Sequence, residues 1–245
     1  MYEYNQRFNT LYCLEDRPYE KVELYAQYNF IKHINKTESD ALNIVIVGAF
    51  NGNEISLYKT LYPNSVIYAF EPQDEAYSRL FKRYGDMPNV KLYNYAISDE
   101  CGQCKFHRNS GNGMDSLLKW AGEKVGTPEI AGKQEVKKSV RLDSLNFLQN
   151  VTIDYLQVDV QGAELKVMKG CSGIMDNINS LMLEVHTRQK EDNCYDEQYE
   201  GQCYLEDLLC YLKPFGFSLN RIGINENLSY FNGVGEGNSF WIKND

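Results

Sequence analysis

An acid at the strand tip beyond a glycine turn, two acids flanking a second such turn, and an acid with a histidine at a strand end are the residues of this 245-residue chain whose types and spacing point to chemistry. Glu71 follows Ser65-Val66-Ile67-Tyr68-Ala69-Phe70, about twenty residues beyond the turn Gly48-Ala49-Phe50-Asn51-Gly52. Paired glycines let a backbone turn tightly and approach a ligand without Cβ interference. An acid at the tip of the next strand lies beside such a turn, where it accepts hydrogen bonds from both hydroxyls of a ribose. The competing reading is that Glu71 only caps a helix opening at Pro72-Gln73-Asp74.

The second turn, Val158-Asp159-Val160-Gln161-Gly162-Ala163-Glu164, puts Asp159 at a strand tip and Glu164 at a helix opening. Both acids are expected to face the crevice of Gly48 and Glu71. Ser180-Leu181-Met182-Leu183-Glu184-Val185-His186 then carries Glu184 and His186 on one strand face. Of three histidines, His186 alone arrives at the ligand end of an expected parallel strand, with an acid near enough to raise its pKa. It is the first choice for a general base; a histidine bonded at a strand end for structural reasons is the alternative.

The elements that must position these groups follow from the pattern. Asn43 to Val47 is an unalternating β-branched run, as in a strand buried on both faces of a parallel sheet. A helix from about Glu54 to Tyr62, capped by Asn53, leads to the strand Ser65–Phe70, giving strand, turn, helix, strand and acid in dinucleotide-fold order. Asp74 to Tyr84 reads as a helix and Val90 to Asn94 as a strand, followed by the polar turn Tyr95-Ala96-Ile97-Ser98-Asp99. There Ser98, Asp99 and neighbouring amides are placed either to read a base or as an ordinary turn. Gln103–Arg108 and Glu135–Leu142 are expected to pair as strands. The glycine-bearing segments Asn109–Met114 and Trp120–Lys133 between them are the substrate-facing candidates.

A short helix from Asp143, a strand Thr152–Val158 and a helix Leu165–Lys169 follow. After the strand ending at His186, the charged stretch Thr187–Gln202 reads as loop. A helix Tyr204–Tyr211 with Leu205, Leu208, Leu209 and Leu212 inward leads to strands Phe217–Ile222 and Asn238–Ile242, with Gly233–Gly237 as a hairpin turn. Before the first strand, Tyr19–Ile34 has helical spacing, with Val22, Tyr25, Ala26, Phe30 and Ile34 on one face, suiting a packing helix or a lid.

Composition narrows the classes. A net charge of -9 and a pI near 5.0 argue against nonspecific binding to nucleic acid or an anionic membrane, which relies on Lys and Arg. No apolar run has bilayer-spanning length, and the first residues lack the blocks of a signal peptide, so a soluble cytoplasmic protein is expected. Seven cysteines suit reduced thiols better than a disulfide framework. Cys101 and Cys104 have zinc-knuckle spacing, but Cys194 and Cys203 lack the spacing of a second pair. Nineteen tyrosines supply amphipathic rings for a groove that takes a sugar or nucleotide, or simply fill half-buried positions.

VGAFNG, FEP, AISD, VDVQGAELKVMKG and LEVH, in that order, resemble the FkbM-type family of S-adenosylmethionine-dependent methyltransferases from about Asn43 to Lys243. The resemblance implies a Rossmann-like class I fold: a mostly parallel seven-stranded sheet with an antiparallel last strand and helices on both faces. It places the methyltransferase domain at 43–245, after a helical extension over 1–42 and with an insertion at about 101–142. The implied activity is O-methylation of a sugar, glycan or other small hydroxylated molecule. Cofactor contacts are implied at Gly48, Ala49, Asn51, Gly52, Glu71, Pro72, Ala96, Ser98, Asp99 and Asp159, and catalytic roles at His186, Asp159 and Glu184, with LEVH bordering the transfer site. Ile46 and Phe50-Asn51-Gly52 depart from the family's pattern, and Gln161 stands in place of Glu. A divalent cation on Asp159, Glu184 and His186 is a second route to the same chemistry, not favoured because no closed ligand set is seen. Two rivals stand beside this reading: a nicotinamide oxidoreductase, which lacks its three-glycine fingerprint here, and a noncatalytic binding module descended from a methyltransferase.

Overall fold

The structure, a computed structural model, describes residues 27–28, 30–34, 36–109, 113–121, 132–186, 198–222 and 236–244. The run Asn43–Val47 forms strand β1, and its lack of alternation has a direct cause. Val45 and Val47 join one core cluster and Ile44 and Ile46 the other, so both faces of the strand are buried. Helix α1 (Asn53–Leu61), strand β2 (Val66–Phe70), helix α2 (Asp74–Tyr84) and strand β3 (Val90–Tyr93) complete the first half. β7 (Tyr155–Val158), helix α3 (Glu164–Lys169), β8 (Ser180–His186), helix α4 (Leu205–Leu212), β9 (Phe217–Ile222) and β10 (Glu236–Lys243) form the second.

The main sheet has seven strands in the order β3-β2-β1-β7-β8-β10-β9. β1 pairs in parallel with both β2 and β7, while β10 runs antiparallel to β8 and β9. Helices cover both faces: α3 and α4 bury Val167, Met168, Leu208 and Leu212 in one cluster, while α1 and α2 bury Ile55, Leu57, Tyr58 and Leu80 in the other. This is the expected Rossmann-like class I architecture. Phe30, from the described part of the N-terminal segment, stacks on Phe240 of β10 at 5.6 Å.

Between the halves lies a second sheet, β4 (Ala96–Ile97), β6 (Lys133–Val140) and β5 (Gly102–Arg108), in the order β4-β6-β5. The antiparallel pairing of β5 with β6 follows the expected ribbon, but the third strand does not: Ala96 and Ile97, read as a turn, run parallel to Ser139 and Val140. Three local details also differ. Gly52 rather than Asn53 is the N-cap of α1, in a left-handed conformation (φ 71). Leu209 is 39% exposed, because two buried leucines, Leu208 and Leu212, suffice to seat so short a helix. Glu236 and Gly237, expected in a turn, are already paired with His186 and Val185; the remainder of that turn lies outside the described residues, as do most of Tyr19–Ile34 and Thr187–Gln202. No helix among the described residues is long and apolar enough to cross a membrane.

Candidate active site

Gly48 ends β1 at the point where strand order reverses, between the tips of β2 and β7, the place where open α/β sheets form ligand crevices. The amides of Gly48 and Ala49 both donate to the carbonyl of Phe70, at 3.0 and 3.1 Å, and the Asp159 amide donates to the Val47 carbonyl at 3.0 Å. The turn is thereby tied to both neighbouring strand tips. At Gly48 φ is 87, and any Cβ would be driven into the Asp159 carbonyl oxygen, so only glycine serves. Phe50 follows with φ 37 and donates its amide to Glu71 Oε2 at 2.8 Å.

Glu71 is 5% exposed, and its other oxygen accepts the Gln73 amide at 2.8 Å. Burial pushes its pKa up to about 7, although the amides of Gln73 and Phe50 favour the charged form; Asp115 adds to the rise and Arg79 opposes it. The expected placement beside the glycine turn and the competing helix-start role thus coincide in one side chain. Sequence reading passed over Asp115. Its carboxylate takes the Gln73 side-chain amide at 2.6 Å, Arg108 Nε at 2.8 Å and the Asn109 amide at 2.8 Å. Arg108, only 9% exposed at its side chain, also meets Glu135 at 2.7 Å. This network fastens the segment after β5 to the start of α2.

On the far side of Gly48, the Asp159–Glu164 turn builds the second acidic cluster. Gln161 Nε2 donates to Asp159 Oδ1 at 2.9 Å and to Glu184 Oε2 at 2.8 Å, and Gln161 Oε1 accepts the Tyr199 hydroxyl at 2.7 Å. Ser116 Oγ donates to the Val160 or Gln161 carbonyl, at 3.1 and 2.9 Å, and so ties the glycine-bearing segment to this turn. Glu164 does not face the crevice as expected. It is fully buried and accepts the amides of Val160 and Gly162, at 3.1 and 3.2 Å, while burial raises its pKa to about 7.

These groups surround a cavity of about 480 Å³. Gly48, Asn51, Glu71, Pro72, Ala96, Asp159 and Glu184 line it, together with Asp115, Gln161 and an apolar wall that includes Phe70, Ile97 and Phe106. Five expected site residues do not line it. Ala49 is packed in the core, and Gly52 is consumed as the α1 cap, its carbonyl accepting the Tyr84 hydroxyl at 2.7 Å. Ser98 and Asp99 are carried away by β4: the Ser98 amide binds the Val140 carbonyl at 3.1 Å, its hydroxyl binds Asp99 at 2.8 Å, and Asp99 faces Lys166 at 3.6 Å. His186 is 1% exposed and stands edge-on to the Tyr199 ring at 6.3 Å, so Glu184 alone of that pair reaches the cavity. Among the described residues, no group of three or more His, Cys, Asp or Glu is arranged to hold a metal ion.

Residues 47–219 match the methyltransferase FkbM domain. Over 182 residues the chain is 26% identical to the 2-O-methyltransferase NoeI of Sinorhizobium fredii, covering 70% of this chain and 71% of that protein. Over 123 residues it is 25% identical to the hexuronic acid methyltransferase AglP of Haloferax volcanii, covering 49% of this chain and 47% of that protein. Among solved structures, an rRNA methylase from Streptococcus thermophilus has a TM-score of 0.51 at 15% identity, over 91% of this chain and 97% of that one. That likeness is one of fold.

Proposed function

The chain belongs to the FkbM methyltransferase family, and on that premise we propose that it binds S-adenosylmethionine in this cavity and methylates a hydroxyl of a sugar, glycan or other small hydroxylated molecule. The observation that carries the reading is the meeting, in one cavity, of the glycine turn, the Glu71 carboxylate and the Asp159–Gln161–Glu184 cluster. The cavity's volume falls among small-molecule sites, roughly 300–1,000 Å³. The residues fit the cofactor. Gly48 lines the cavity with backbone alone and lets the turn close against Asp159, Glu71 presents a carboxylate to a ribose, and Phe70, Ile97 and Phe106 offer an apolar wall to a base. The relative named as a 2-O-methyltransferase supports a hydroxyl acceptor, and the one named for hexuronic acid supports an acceptor of the sugar class.

The bound cofactor supplies a methyl group on a positively charged sulfur, a carbon already activated for displacement. The protein's share is alignment and proton management. Holding two reactants in line is worth up to about 7–11 kcal/mol of barrier. Asp159 and Glu184, which line the cavity, take up the acceptor's hydroxyl proton, while His186 is buried outside it. On the same reading 43–245 is the methyltransferase domain, with the β5-β6 ribbon in an insertion at about 101–142. Methyl-labelled S-adenosylmethionine incubated with the protein and cell extract tests the reading. Label entering a glycan or other hydroxylated small molecule supports it, and label entering only protein or nucleic acid overturns it.

A further inference from the structure

Gln161 joins the two carboxylates of the cavity through a single nitrogen, which donates to Asp159 at 2.9 Å and to Glu184 at 2.8 Å. An amide and its flipped form have the same shape, so the surrounding donors and acceptors decide between them. In the flipped form the amide oxygen would face two carboxylate oxygens, and each would have to carry a proton. In the form present, one N–H points to each carboxylate, and the amide oxygen receives the Tyr199 hydroxyl at 2.7 Å, nearer than that hydroxyl's other acceptor, the Met114 carbonyl at 3.2 Å, so each of these atoms is matched.

The backbone is built to hold that side chain in place. Gln161 has φ 59, a conformation uncommon for a residue with a Cβ. The amides on either side of it, those of Val160 and Gly162, are both held by the buried Glu164. Gly162 lets the Tyr199–Gln202 segment approach: a Cβ there would meet the Gln202 Cβ at 2.9 Å and the Tyr199 ring at 3.3 Å. Unusual backbone fixed from both sides in this way is characteristic of functional sites.

We infer that Gln161, oriented by Tyr199, is a positioning residue that keeps Asp159 and Glu184 together in the ionised state as a paired proton acceptor. Oxygens bound to one nitrogen are no more than about 6 Å apart, a separation at which one carboxylate disfavours ionisation of the other. The buried Glu164, which also faces Asp159, adds to that repulsion, and an N–H donated to each of the pair offsets it. The use of the pair in catalysis rests on the methyltransferase reading; the pairing itself does not.

Carbon-13 NMR titration of the Asp and Glu carboxyls tests the inference, with Asp159→Asn and Glu184→Gln proteins giving the assignments. Wild type is compared with Gln161→Gly, in which glycine takes the left-handed backbone without strain, and with Tyr199→Phe. In Gln161→Gly the pair's proton affinity rises about tenfold, a full pH unit in its upper midpoint. Tyr199→Phe shifts it in the same direction by less. Midpoints unchanged in both variants overturn the inference, and a purely structural role would lower the melting temperature while leaving them in place. S-adenosylhomocysteine binding is measured on the same preparations. Its absence removes the methyltransferase reading and leaves the titration result standing.

Discussion

The protonation of Glu71 makes cofactor affinity depend on pH in a way that can be worked out from the structure. Its pKa near 7 has burial as the largest cause, only partly offset by the Gln73 and Phe50 amides. At pH 6 about one molecule in ten carries the ionised form, and at pH 8 about nine in ten. Ribose hydroxyls donate to a carboxylate. If the ionised form is the competent one, apparent affinity scales with its fraction, so the Kd for S-adenosylhomocysteine falls roughly tenfold from pH 6 to pH 8. In Glu71→Gln this component vanishes, and affinity at pH 8 drops by the worth of charged hydrogen bonds, about 1.5–3 kcal/mol. Titrations of the ligand's own groups persist in the variant, so the difference between the two proteins isolates Glu71. Calorimetry at both pH values reads it. A wild-type Kd that is the same at pH 6 and pH 8, or a variant that keeps wild-type affinity at pH 8, refutes the reasoning. Stability moves in the opposite sense. The folded state holds the proton more tightly than the unfolded state, so the unligated protein loses up to about 3 kcal/mol as pH rises from 4.5 through 7.

Other perturbations follow from single contacts. Gly48→Ala drives a Cβ into the Asp159 carbonyl at a left-handed residue, and should lose S-adenosylhomocysteine binding together with several degrees of melting temperature in a thermal scan. Arg108→Met leaves Asp115 buried without its guanidinium and should cost about 3–5 kcal/mol in urea unfolding; a loss under about 1 kcal/mol would show that the network is not structural. Glu184→Gln should slow methyl transfer by about a hundredfold or more, while His186→Ala, which alters a side chain outside the cavity, keeps transfer within about tenfold of wild type. The reverse ranking returns the base to His186.

The middle of the sheet was legible because both faces of β1 and β8 are buried. β1, α2, β8 and β9 have the bounds that their apolar runs and flanking turns suggest. Gly48 and Glu71 were legible because a tight turn and a strand-tip acid leave local marks in sequence. The rest depends on partners distant in the chain. Ala96 and Ile97 become a strand only because Ser139 and Val140 lie beside them, and that takes Ser98 and Asp99 out of the site. The burial of His186 is set in part by Tyr199, which sits at the end of a charged stretch with no pattern of its own. Asp115 gave one weak signal, an acid directly after a glycine-bearing segment. Glu164 looked like a crevice residue because strand-tip and helix-start acids are alike in sequence, whereas only the folded turn offers it two backbone amides.

The central claim is that the cavity around Gly48, Glu71 and Asp159 is an S-adenosylmethionine site. Calorimetric titration of the full chain with S-adenosylhomocysteine and, separately, with NAD tests it most directly. The account predicts one site per chain for S-adenosylhomocysteine, abolished by Gly48→Ala, and no heat of binding for NAD. Binding of NAD alone, or of neither ligand, would contradict it.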